Sequence, residues 1–242
     1  MRYKDLIEEP IYTEERFKSI MDTISRECSI ICDAIKKNHT FFYRGTNSPK
    51  EESFIMDDIF VSASRTDRKP RDSNHVEHDF CNHGLTLLGY KVNRSNSIAV
   101  TSDAHQCQTY GKVYMIFPKN GFHYAHCNRK DMMSFVDSDG HIRHFTKTKY
   151  KELYNSLGNT LTTANDVAMF LNTLQDNKYN DFVKSFWQYK IEIYEYVEDT
   201  NLDKAITDGN EVMISGEYYA ISRLWMDEVL NYFFNKGKNN EI

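Results

Sequence analysis

The sequence predicts a single α+β domain, and three observations carry that expectation. Hydrophobic residues make up 40% and aromatics 14% of the 242 residues, enough to build a folded core. Apolar residues recur at helical spacing in some stretches and crowd into short β-branched or aromatic runs in others, so both element types are expected. Only 10 glycines and 4 prolines leave room for few tight turns. The domain is taken as 1–242, with an N-terminal helical portion at 1–39, a core at 40–221 and a C-terminal helix and tail at 222–242.

Thr13 is placed to cap a helix whose first turn carries Glu14 and Glu15, where carboxylates suit the positive end of the dipole. Phe17, Ile20, Met21, Ile24, Cys28, Ile31 and Ile35 then keep helical spacing to about Lys37. Phe41-Phe42-Tyr43 reads as a buried strand that ends in Arg44 and Gly45, and 46–52 as a polar loop. A second strand is expected over Phe54 to Ala63, a charged loop over Arg65 to Asp72, and a helix over Val76 to Leu88 closed by Gly89. Ser97 to Ser102 has strand character, followed by a short helix from Asp103 to Tyr110 with Asp103 as cap and Gly111 at its end.

Val113 to Phe117 reads as a buried strand stopped by Pro118, and Asp137 to Gly140 as a turn. Thr162 or Thr163 would cap a helix through Val167, Phe170, Leu171 and Leu174. Residues 181–198 suit a helix early and a strand later. A brief helix at Asn201 to Ile206, a turn at Asp208-Gly209-Asn210, a strand opening at Glu211 and a helix from Leu224 to Phe234 complete the chain.

The net charge of −5 does not mark a nucleic-acid binder, although local basic patches are compatible with it. No apolar run follows the start and no segment has the length of a membrane span, so neither a signal peptide nor a membrane partner is expected. Five cysteines (Cys28, Cys32, Cys81, Cys107 and Cys127) are an odd number, which favours reduced thiols and a cytoplasmic location.

Three separated features carry chemistry. A guanidinium at the end of an aromatic strand beside Gly45 suits a planar anion, most simply a phosphate, next to closely approachable backbone. The plain alternative is a surface arginine before a turn. The second feature is strand-Thr101-Ser102 with a short helix ending at Tyr110-Gly111, and the third is a turn followed by Glu211. In this order, Tyr43-Arg44-Gly45, Val100-Thr101-Ser102 and Asn210-Glu211-Val212-Met213-Ile214 resemble the Arg–Ser–Glu class of ADP-ribosyltransferases over about residues 40 to 221.

That resemblance implies a split β-sandwich of two packed, mostly antiparallel sheets with an N-terminal helical portion, and NAD as co-substrate. It implies that Arg44 grips a phosphate of NAD and that Gly45 leaves room for backbone contacts to the nicotinamide amide. Ser102, or Thr101, would support the site by hydroxyl hydrogen bonds; Tyr110 would pack near the nicotinamide or serve as a core tyrosine. Glu211 would be catalytic, stabilising positive charge on the ribose as the nicotinamide leaves. Val100 stands where the family's first serine is expected. Gly209 stands two residues before Glu211, where arginine-modifying members carry Glu or Gln, so an arginine acceptor is disfavoured. Another protein side chain, a nucleic acid or water stays open as acceptor. The alternative function is a catalytically silent nucleotide- or nucleic-acid-binding module.

Competing features are weaker. Arg65, Arg68, Lys69 and Arg71 form a basic loop, either a solvated face or, with Arg94, a patch that meets acceptor phosphates or the adenine-side phosphate of NAD. His75, His78, Cys81 and His83 match no strong zinc spacing, and no metal is expected. The acidic residues Asp131, Asp137, Asp139 and Glu152 give no paired-carboxylate arrangement, and phosphate-loop, dinucleotide-fold and nucleophile-elbow motifs are absent.

Overall fold

The computed structural model describes residues 13–47, 53–56, 58–69, 75–136, 139–152, 155, 169 and 176–235. In chain order the elements are α1 (Glu14–Glu27), α2 (Ser29–Asn38), β1 (Phe42–Thr46), β2 (Ser53–Met56), β3 (Ile59–Ala63), α3 (His75–Leu87), β4 (Ile98–Thr101), α4 (Ala104–Gln108), β5 (Lys112–Pro118) and β6 (His123–His126). They continue as α5 (Met133–Val136), α6 (Asp139–Lys149), α7 (Asp176–Tyr194), β7 (Val197–Glu198), α8 (Leu202–Thr207), β8 (Glu211–Ser215), β9 (Glu217–Ser222), a 3₁₀ turn (Arg223–Trp225) and α9 (Met226–Phe234). The protein is therefore α+β. It clusters into two compact units, one from Met1–Ala63, Ser102–Phe122 and Gly216–Ile242, the other from Ser64–Thr101 and His123–Ser215.

In the first unit the strands run β2-β3-β9-β5-β1, all neighbours antiparallel. The helices bury Met21, Ile24, Ile31 and Ile35, and Phe41, Phe117 and Phe233 stack and edge against one another. Thr13 caps α1 as expected, its hydroxyl accepting from the Arg16 amide at 3.1 Å. The single long helix expected here is broken at Cys28, whose backbone leaves the helical region. The cause is tertiary. Asn120 donates its own amide to the Glu27 carbonyl at 2.7 Å and accepts from the Ile30 amide at 3.2 Å, satisfying groups that a helix break exposes.

The long strand expected from Phe54 to Ala63 is instead the hairpin β2–β3, with Asp58 in the left-handed conformation at φ 64°. Asp tolerates that region better than most residues. The Asp58 carbonyl also accepts the Ser222 amide at 2.9 Å, and Lys112 pairs with its carboxylate.

The second unit orders its strands β4-β8-β6-β7, again antiparallel. Its core is aromatic: Phe80, Phe135, Phe145, Phe182, Phe186 and Trp187 are all nearly or fully buried. Aromatic rings that meet edge-on or offset add to the area they bury. Residues 181–194 are helical and 197–198 extended, the split expected from the sequence. Gly140, expected in a turn, lies inside α6, while Asp137 and Ser138 are outside the described residues. The helix expected through Val167 and Leu174, with its Thr162 or Thr163 cap, also falls outside them. No disulfide links the cysteines, and no described helix is long and apolar enough to cross a membrane.

Gly84 in α3 meets α7 so closely that a Cβ there would lie 1.9 Å from the Trp187 ring. Overpacking a filled core costs about 1–3 kcal/mol, against the roughly 1 kcal/mol that alanine gains over glycine within a helix. Gly84→Ala is expected to lower the urea midpoint. Gly140→Ala, helical with open space around its added methyl, is expected to raise it.

Candidate functional site

Glu211 opens β8, where the sequence places it, and pairs in register with Thr101 at the end of β4. Directly opposite residues of an antiparallel pair share a face, so the hydroxyl and the carboxylate are neighbours on one side. Thr101 does not spend its hydroxyl on Glu211: it donates to the Gly209 carbonyl at 3.0 Å, holding the turn that delivers the strand. Gly209 sits at φ +69° with open space around it, so its identity answers the backbone of that turn. A side chain there would be strained.

The Glu211 carboxylate is anchored from another direction. The Met132 amide donates to its Oε2 at 2.9 Å, and the Glu211 amide donates to the Lys130 carbonyl at 3.0 Å. Asn210 adds a bond from its side-chain amide to the Cys127 carbonyl at 3.2 Å. A loop at 127–132 thus grips both backbone and side chain. Burial lifts the Glu211 carboxyl above the ordinary range and Asp131 adds to the lift; the Met132 N–H, Arg94 and Arg68 oppose it. Val100 faces the opposite side from Thr101 and is buried at 2% exposure opposite Val212.

Arg44 and Gly45 belong to the other unit and lie within β1 rather than at its end, for the strand continues through Thr46. Arg44 is half-buried and pairs with Tyr114 on β5. Gly45 has a packing reason: a Cβ would lie 2.0 Å from the Cys107 carbonyl of α4. The close approach that the glycine implied is made by a helix of the protein itself. Asp103 caps that helix, accepting from the His105 and Gln106 amides at 3.0 and 3.3 Å. Ser102 is a half-buried bend residue before it. Tyr110 is 51% exposed, so it is not a core tyrosine.

Among the acceptor-side candidates, Arg65 is exposed and pairs with Asp67 at 3.1 Å. Arg68 folds along the segment before β4, its amide donating to the Ser95 carbonyl at 3.0 Å and its guanidinium to Ser97 at 3.3 Å. Arg71 is outside the described residues. His78 is buried against Ser95 and His83 bonds Asn180, and among the described residues no three potential metal ligands gather.

Sequence reasoning missed the 127–132 loop because its contribution is backbone, which no residue type advertises. Compared with known proteins, the chain matches no family model, no curated protein and no solved structure.

The raised Glu211 carboxyl has a sign that can be measured. The folded chain holds that proton to higher pH than the unfolded chain, so stability falls as pH rises through the window between the two and stays lower above it. Glu211→Gln keeps an acceptor for Met132 and removes the buried charge. It is expected to raise Tm at neutral pH, with the gain disappearing below about pH 4, where the glutamate is protonated in both states.

Proposed function

We propose that the protein is an NAD-dependent ADP-ribosyltransferase that breaks the nicotinamide–ribose bond and passes ADP-ribose to a macromolecular acceptor or to water. The observation that carries this reading is the treatment of Glu211: a half-buried carboxylate at a strand head, clamped by the Met132 amide, with the Thr101 hydroxyl holding the turn before it. Fixing a charged group at a cost in stability is the arrangement expected where charge develops in a transition state. The order of Arg44, Thr101-Ser102 and Glu211 along the chain adds support.

Arg44 is assigned to a phosphate of NAD, as a guanidinium suits that planar, doubly accepting group. Glu211 is assigned to the ribose that develops positive charge, and the nicotinamide departs with the bonding pair. The hydroxyl missing at Val100 is replaced in this reading by the Met132 amide, so loss of that serine does not imply loss of activity. Gly209 carries no side chain to activate an arginine, which leaves another protein side chain, a nucleic acid or water as acceptor.

Nicotinamide release from NAD is the direct assay. Glu211→Gln is expected to lower it roughly 100-fold or more while NAD affinity stays nearly constant. Arg44→Ala is expected to weaken NAD binding about tenfold, the loss of one charge-assisted contact. The acid limb of the pH profile should lie above the usual glutamate range and vanish in Glu211→Gln. Labelled NAD incubated with lysate, counted separately in protein and nucleic acid, identifies the acceptor. No release under any condition, with Glu211→Gln silent, would instead assign a binding module.

A further inference from the structure

The second unit carries a cleft of about 320 Å³ that the proposed reaction does not use. Leu88, Gly89 and Tyr90, just past the end of α3, form one wall; Tyr196, Glu198 and Thr200, around β7, form the other. The volume lies within the range of small-ligand sites. Tyr196 is 2% exposed, its hydroxyl donating to the Val92 carbonyl at 3.1 Å, and its ring meets Tyr90 edge-on with centroids 5.2 Å apart. Tyr90 is half-buried and lines the cleft.

Glu198 is the unusual member. Its Oε1 accepts from the Val92 amide at 2.6 Å, which fixes the carboxylate. Among the described residues its Oε2 has no hydrogen-bond or ion-pair partner, and the Tyr90 and Thr200 hydroxyls have none either. One anchored carboxylate and two hydroxyl-bearing residues therefore line one cleft beside an aromatic ring. Negative charge asks for a cation. The ring asks for a flat one, because a guanidinium stacks on an aromatic face while donating in its own plane to a carboxylate.

We propose that this cleft binds a guanidinium group, stacked on Tyr90 and donating to Glu198, with its aliphatic stem along Leu88. The group comes from free arginine or from an arginine side chain of a peptide. Burial raises the Tyr90 phenol and Glu198 adds to the shift, so the ring stays neutral at physiological pH. This site is independent of the NAD reading.

The test is titration of the isotope-labelled full chain with N-acetyl-arginine methylamide, followed by amide chemical shifts, with free arginine as a second arm. Saturable shifts at Gly89, Val197 and Thr200 are expected. The lysine and citrulline analogues, one non-planar and one uncharged, are expected to bind at least fivefold more weakly. Glu198→Gln keeps an acceptor for the Val92 amide and is expected to weaken binding at least tenfold; Tyr90→Leu should weaken it several-fold, with the remaining amide spectrum unchanged. Tighter binding of the capped form assigns a chain-borne arginine, and tighter binding of the free amino acid assigns a metabolite. No saturable shift in the cleft with either arginine form, equal binding of citrulline, or full affinity in a folded Glu198→Gln protein would overturn the proposal.

Discussion

Because β4 and β8 pair antiparallel with Val100 against Val212 and Thr101 against Glu211, an apolar pair is committed to one face and a polar pair to the other. A slip of one residue would exchange the faces and bury a carboxylate where two valines now pack. The valines thus enforce the register that presents Glu211. The turn bond from Thr101 to Gly209 and the two bonds from the 127–132 loop act on a strand whose alignment is already decided.

Val100 and Gly209 can be understood on the same footing. Val100 is a core residue whose side chain points away from the carboxylate it would be expected to support, and a backbone amide does the anchoring instead. A backbone donor has an advantage there. It cannot rotate away as a hydroxyl can, and it brings no extra side-chain entropy to be lost. Gly209 satisfies a left-handed turn whose φ of +69° discourages any larger residue, and its carbonyl accepts from the Thr101 hydroxyl.

Two other glycines act through contact rather than conformation. Gly45 admits the Cys107 carbonyl against β1, and Gly84 admits the Trp187 ring against α3. In each case the missing side chain sets how closely a helix can approach its neighbour. Gly45 had invited interpretation as space for a ligand. Its neighbour is the protein's own helix, and that leaves Arg44, half-buried beside it, as the chemically informative member of the pair.

Local signals determined much of the molecule from sequence alone. The Thr13 and Asp103 caps, the closure of α3 at Gly89, the switch from helix to strand near 195 and the opening of β8 at Glu211 all follow from residues acting on their immediate neighbours. The tertiary structure decided the rest. Asn120 breaks a helix whose periodicity runs unbroken through Cys28, and Asp58 folds an apparent single strand into a hairpin that packs on β9. The Met132 amide that holds Glu211 is 79 residues away in the chain. Side-chain type reports periodicity and local hydrogen bonding, whereas a distant backbone amide has no signature in the alphabet; only folding brings it within reach.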